Sequence, residues 1–427
     1  MVNYAMAAPG KGEAAMLRIM VGALLALGFM PAPLQAAAKP GQYLFVFSGD
    51  QAGKGKDFLA VIDADPASTG YGKVLASVAT NQVSVRPHHS EYEMPASGML
   101  FANDHNANRS FIFDLRDPLH PKVATTFGDM GGFAMPHSFL RLPNGHVLAS
   151  FQQKRGMDHD MAGMHDMAGM SGKELTGGLV EIDDSGKVVR AVSNADPAHP
   201  DWPLLPYSLM PLPKIDRVLV TNSPMQEEHL LQSVTYQLFR LSDLKLLGTY
   251  QLDPGPSLSG HIDPEEVRIG PDGAAYVQTL SCGLQRVSGM ETGQPKARMI
   301  HQFPGTFCGV PTIAGHYLVQ AVESIGGYVV LDIADGAKPV EVSRLVIAPD
   351  YASHWTAWDP SSGRLVVTSG KAGDRLYVLK LDRKTGKLTI DTAFRDVDGK
   401  PGFSMAGKSW PHGWTGDGKP HGAVFSR

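Results

Sequence analysis

The chain has 427 residues, 43% of them hydrophobic and 19% charged, enough apolar mass for a large buried core. A formal net charge of −4 is too near neutral to suit a nucleic-acid partner or an anionic membrane surface. Glycine (47) and proline (31) are plentiful, which favours many turns over long helices.

In chain order the first element is an address. Arg18 precedes the apolar run IMVGALLALGFM (19–30), and the small residues of PAPLQAAAKP come after it. The run is too short, and too soon interrupted by proline, for a comfortable membrane span. Residues 1–38 read as a cleaved export signal, with a retained anchor as the alternative. The mature protein, 39–427, is then expected to be a single periplasmic or secreted domain with no membrane contact.

Beyond residue 38 no stretch sustains a helical period. Short β-rich runs recur instead: YLFVFSGD (43–50), DFLAVIDAD (57–65), KVLASVAT (73–80), GMLFAND (98–104), SFIFDLRD (110–117) and KVATTF (122–127). A longer period runs through them. PHHSEYEMPASGMLFAND (87–104), PHSFLRLPNGHVLASFQ (136–152), PYSLMPLPKIDRVLVTN (206–222) and PEEVRIGPDGAAYVQTL (264–280) each read as strand, tight turn, strand. TFCGVPTIAGHYLVQAV (306–322), SHWTAWDPSSGRLVVTS (353–369) and PHGWTGDGKPHGAVFS (411–426) repeat the pattern. Most lead into a third strand ending near aspartate and then a fourth. Seven copies of four antiparallel strands predict an all-β, seven-bladed β-propeller of about 56 residues per blade. The strands at 43–79 lack a first strand of their own, and the C-terminal stretch supplies one. The last blade is therefore expected to close from both chain ends, leaving no open sheet edge. A pair of β-sandwiches is the competing architecture, disfavoured by the seven-fold count.

One position in the repeat carries chemistry. The residue six before the turn proline is His89, His137, Tyr207, Glu265 and His354 in blades one, two, three, four and six. Blades five and seven lack that proline, and Phe307 and His412 are aligned there by pattern. The slot opens the innermost strand, so seven copies converge on the mouth of the central channel. Any one of these histidines alone reads as a turn residue. Four with a carboxylate around one axis predict a transition-metal site, since imidazole suits copper, zinc, iron and nickel. His88 is ambiguous, because adjacent strand residues face opposite ways unless a turn intervenes. His261, just ahead of the slot in blade four, reads better as a loop histidine.

Blade two carries an insertion at 152–177 with a tandem repeat, HDMAGM at 159–164 and again at 165–170. Met157, Met161, Met164, Met167 and Met170 alternate there with His159 and His165. Methionine is out of place in a loop that buries nothing. Soft thioethers with imidazole favour copper, whereas zinc prefers thiolate and calcium or magnesium oxygen. The insertion leaves the rim on which the slot opens, so a loading site beside a tighter buried site is expected. Cys282 and Cys308, the two cysteines of the chain, fall on the same rim and are a candidate disulfide in an oxidising compartment.

DFLAVIDADPASTGYGKVLASV, the HHSEYE doublet, SFIFDLRDPLHPKVATTF and MPHSFLRLPNGHVLASFQ resemble the selenium-binding protein/methanethiol oxidase family, most clearly over residues 57–152. The resemblance implies a copper-dependent oxidase converting methanethiol, with dioxygen and water, to formaldehyde, hydrogen sulfide and hydrogen peroxide. By motif match His88, His89 and His137 carry over as metal ligands, with His354 and His412 added from the blade pattern. Glu265 or Glu266 is the expected proton-transfer group, with Tyr207 a second candidate and rim pairing of Glu265 with Arg268 the competing account. A small thiol, dioxygen and a copper-donor protein are the expected partners. Animal relatives place a cysteine after the tyrosine of a P-x-S-x-x-Y stretch, a thiol associated with selenium. Here Tyr71 is followed by Gly72, which disfavours selenium binding by that route. Two other functions remain open: a non-catalytic copper store or carrier, and a metal-free scaffold.

Overall fold

The computed structural model describes residues 41–156, 175–225, 233–255, 262–371 and 373–427. Residues 1–38, read above as an export signal, His261 and the Met157–Met170 cluster lie outside the described residues.

Seven antiparallel sheets of four strands in sequence form among the described residues, together with a small hairpin, Lys408–Ser409 with Thr415–Gly416. The sixth sheet gains a short extra strand, Phe403–Ser404, beside Arg375–Leu381. The seven sheets are the blades of a β-propeller. Their innermost strands are Pro87–Ser90, Phe133–Arg141, Pro206–Leu212, Pro264–Ile269, Thr312–Ala314, Ser353–Asp359 and Gly418–Phe425, for blades one to seven. Blade seven is closed as expected: C-terminal Gly418–Phe425 pairs with N-terminal Tyr43–Asp50, with Leu44 opposite Phe425 and Ser48 opposite Pro420.

Burial is a consequence of the stacking. A blade is covered on both faces by its neighbours, so middle strands read as continuous apolar runs rather than alternating ones. Lys56–Asp63 is buried at seven of its eight positions. The outermost strands alternate, as in Lys122–Phe127 and Lys296–Gln302, because they meet solvent on the circumference. Aromatic rings fill the gaps between blades. Phe47 of blade seven lies 5.9 Å from both Phe111 and Phe113 of blade one, and Phe101 packs 5.6 Å from Phe139 of blade two.

Every blade carries the same irregularity in or just before its innermost strand. Pro87 faces Asp104 and Ser90 faces Ala102, so the inner strand carries one residue more than its partner. The same extra residue recurs at Pro136/Phe139, Pro206/Leu209, Pro264/Val267, Ser353/Trp355 and Pro420/Ala423. In blade five it falls between the Cys308–Val322 bridge and the Thr312–Val319 pair. Such a bulge breaks strict alternation and turns two consecutive side chains toward the axis. That is why the His88–His89 doublet can put both rings inward.

Candidate metal centre

The bulges set the true register of the slot. Counted from the bridging residue before each bulge, the first bulged residue is His88, His137, Tyr207, Glu265, Gly309, His354 and His421. His89 is the second bulged residue of blade one, equivalent to Ser138 in blade two and Glu266 in blade four. Two assignments therefore change. His88, not His89, is the counterpart of His137, because the blade-one turn is longer than its proline suggested. In blade seven the slot residue is His421. His412 belongs to the segment of the small hairpin, where its Nδ1 meets the Ser77 hydroxyl at 2.7 Å and its ring packs 5.2 Å from Phe58. In blade five Gly309 takes the slot, and Phe307 stands beside the cavity, 39% exposed.

A second-strand side chain clamps most bulges. Asn103 accepts from His89 N at 3.0 Å and donates to the Pro136 and His137 carbonyls, both at 2.8 Å. Ser150 links Ser138 N to the Tyr207 carbonyl, and Thr221 links Ser208 N to the Glu265 carbonyl. Gln278 donates to the Cys308 carbonyl, and Thr368 to the His421 carbonyl. Each clamp spans from its own blade to the next, so the slot residues are fixed relative to one another before any ligand arrives.

The result is a packed arc of imidazoles. His88, His89, His137 and His421 are 3%, 0%, 0% and 7% exposed, and His354 opens partly to the cavity. His88 Nε2 lies 2.9 Å from His137 Nε2, and His88 Nδ1 lies 3.1 Å from His421 Nε2. The His88 and His89 rings stack at 4.0 Å, and His354 sits 4.5 Å from His421. Burial, then mutual repulsion, holds His88 and His137 well below the ordinary histidine range, and burial brings His354 to about 4. These rings are therefore neutral at physiological pH, the form that ligates.

Several features fit a metal. Two nitrogens each about 2.0 Å from one ion stand about 3 Å apart, the spacing found at His88–His137. His137 Nδ1 donates to the Tyr207 carbonyl at 2.8 Å, which leaves Nε2 without a proton and its lone pair facing His88 and Met225, the usual support of a ligating histidine. His89 Nε2, His354 Nε2, His421 Nδ1 and Glu266 Oε1 are buried with no hydrogen-bond partner among the described residues. Donor atoms of His88, His89 and His421, and of His89, His137 and Glu266, come within 4.8 Å of one another.

The two adjacent glutamates have different surroundings. Glu266 is fully enclosed, and its Oε2 accepts from Tyr92 at 2.6 Å, Arg268 at 3.0 Å and Ser208 at 3.1 Å. Arg268 pairs with Glu266, not with Glu265 as the rim-pairing account had it. Glu265 lines a cavity of about 450 Å³ together with Arg86, His88, Tyr207, His354 and His421. Burial pushes the Glu265 carboxyl up to about 8, and it pushes the Tyr207 phenol well above 10, with Glu265 adding to the shift.

Two further residues of the site stand outside the repeated slot. His105, buried, donates from Nδ1 to the Pro136 carbonyl at 2.9 Å and lies 5.6 Å from His137. Met225 places Sδ 3.2 Å from His137 Nε2. His105 directly follows the blade-one second strand, so the rim order is a sequence signal that could have found it, whereas Met225 lies three residues past the blade-three second strand.

With this geometry in place, known proteins give it context. A methanethiol oxidase from Hyphomicrobium sp. is 33% identical over 122 residues, 27% of this chain and 28% of that protein. The matched stretch spans about a quarter of that curated relative. A hypothetical selenium-binding protein from Sulfolobus tokodaii superposes with a TM-score of 0.68 at 14% identity, over 91% of this chain and 94% of the other. The chain is thus similar over that stretch to a methanethiol oxidase and shares its fold with a selenium-binding protein. A periplasmic gluconolactonase from Pseudomonas aeruginosa also superposes, with a TM-score of 0.59 at 14% identity over 90% and 99% of the two chains, which reflects the shared propeller. No family model matches. Gly72 is a point of departure from the pattern of the animal relatives. Its φ is +89°, and a Cβ there would stand 2.5 Å from the Arg395 backbone N and O, so this fold has no room for a cysteine at that position. Cys282 and Cys308 form a disulfide between blades four and five, 26 residues apart.

Proposed function

We propose that this protein is an exported, copper-dependent oxidase of small thiols, taking methanethiol, dioxygen and water to formaldehyde, hydrogen sulfide and hydrogen peroxide. The observation that carries the reading is the arc of five clustered imidazoles, of which His88, His354 and His421 line one cavity, in a chain that shares a stretch with a methanethiol oxidase. His88, His89, His137, His354 and His421 would hold the metal. Copper, when bound, draws the soft sulfur of a thiol and supplies one-electron chemistry with dioxygen.

The protein's own groups place and move protons. Oxidation of the thiol releases one proton from sulfur and one from carbon, and peroxide formation consumes two. Glu265 stands on the cavity wall, holds its proton at neutral pH, and is steadied by Gln278 Nε2 at 3.0 Å. It can release that proton to a reduced oxygen and take one back from the substrate carbon. Tyr207, kept protonated, can serve only as a donor. Glu266, held by three donors, places Oε1 3.8 Å from His89 Nδ1, too far for a hydrogen bond but near enough to favour a cation beside that ring.

The deciding experiment measures dioxygen uptake and peroxide release from methanethiol on copper-loaded protein. Stoichiometric copper with no turnover would favour the second reading, a periplasmic copper store or carrier. The Met157–Met170 stretch is what favours that reading. If the stretch only loads the centre, deleting 157–170 slows copper uptake but leaves the activity of loaded protein intact.

A further inference from the structure

We propose that Met225 is a ligand to the same ion as His137, which makes the centre a nitrogen–sulfur site selective for a soft monovalent ion, copper(I). The inference rests on the copper reading above and deepens it.

Met225 Sδ lies 3.2 Å from His137 Nε2, the nitrogen left bare by the bond from Nδ1 to Tyr207. A nitrogen about 2.0 Å and a sulfur about 2.3 Å from one ion would stand about 3–4 Å apart, a range that includes this contact. Apolar packing does not account for the position. Met225 is half-buried on the cavity wall and belongs to none of the apolar clusters among the described residues. Its backbone is nonetheless tethered. Gln152 donates to the Ser223 carbonyl at 2.8 Å, Ser223 N donates to the Leu205 carbonyl at 2.9 Å, and Arg86 donates to the Met225 carbonyl at 3.2 Å. Pro224 stiffens the link between them. An unbranched side chain held by its backbone beside a bare imidazole nitrogen is placed to donate sulfur. Thioether is a soft ligand that favours copper(I) over zinc or any oxygen-seeking ion.

The test uses the full-length chain with Met157, Met161, Met164, Met167 and Met170 changed to leucine, so that the insertion contributes no sulfur. Loaded without oxygen with one equivalent of copper(I), it should show a sulfur neighbour at about 2.3 Å by X-ray absorption, beside imidazole nitrogens. Adding Met225→Leu should remove that neighbour and weaken copper(I) binding by roughly tenfold or more, the scale of losing one support at a metal site, while zinc binding is unchanged. Met225→Gln, which offers oxygen, should fail to restore copper(I) binding. Both variants should melt with the parent, since the side chain fills no core. Bound copper without a sulfur neighbour, or one that survives Met225→Leu, overturns the inference and leaves the copper reading standing. A parent that takes up no copper overturns both.

Discussion

Blades six, seven, one and two contribute His354, His421, the His88–His89 pair and His137, whereas blades three, four and five present Tyr207, Glu265 and Gly309 in the same backbone position. Both arcs carry the same bulge, and clamps recur in both. The ring is thus divided by side-chain identity alone: one half gathers lone pairs, and the other offers protons and open space. A repeated fold allows this separation readily, because one residue per blade changes the chemistry without disturbing the strands around it.

The largest expected effect tests which arc holds the metal. His421→Ala should lower metal affinity by at least roughly 100-fold, while His412→Ala leaves it intact, as equilibrium dialysis of each variant would read. Equal losses would put the closing strand outside the centre. On the other arc, Glu265→Gln should leave metal content unchanged and cut turnover by roughly 100-fold, the usual share of a positioned proton donor. Native Glu265 keeps its proton up to about pH 8, whereas the unfolded chain loses it near 4.5. The folded state then binds the extra proton between those values, so this group makes stability fall as pH rises through that window. Glu265→Gln removes the slope, and denaturant melts at pH 5 and pH 9 should differ less than in the parent.

The clamps sharpen the same contrast. Asn103→Ala strips partners from the buried His89 N and from the Pro136 and His137 carbonyls, and should cost about 2–4 kcal/mol together with metal affinity. Thr221→Val, under the opposite arc, should cost about 1–3 kcal/mol and spare the metal. Smallest at the centre is loss of the Cys282–Cys308 link, which closes a short loop in blades four and five. Reduction should lower stability by about 2–4 kcal/mol with metal content unaffected.

The fold was legible because stacked blades repeat their turn chemistry, and that period survives in the order of the residues. The slot was legible to within one residue. Counting back from the turn proline misses in blade one, where Glu91–Gly98 lengthens the connection. Counting forward from Pro87, Pro136, Pro206, Pro264 and Pro420 lands on His88, His137, Tyr207, Glu265 and His421. The error at His412 came from a decoy, since Pro411-His412-Gly413 and Pro420-His421-Gly422 are the same tripeptide. Only the next three residues separate the two copies: Trp-Thr-Gly leads into the short, partly exposed strand Thr415–Gly416 of the hairpin, and Ala-Val-Phe makes a buried strand. Met225 was not legible from the repeat, because its place depends on long-range tethers to Gln152, Leu205 and Arg86.

The seam where the two chain ends pair also sets an order of events. Two donors of blade six wait on the closing strand: Thr368 for the His421 carbonyl, and Trp355 Nε1 for that of Ala423 at 2.9 Å. A nascent or C-terminally shortened chain can assemble six blades and still lack the imidazole that the finished ring provides. If the arc holds a metal as proposed, the full donor set would exist only once the closing strand is paired.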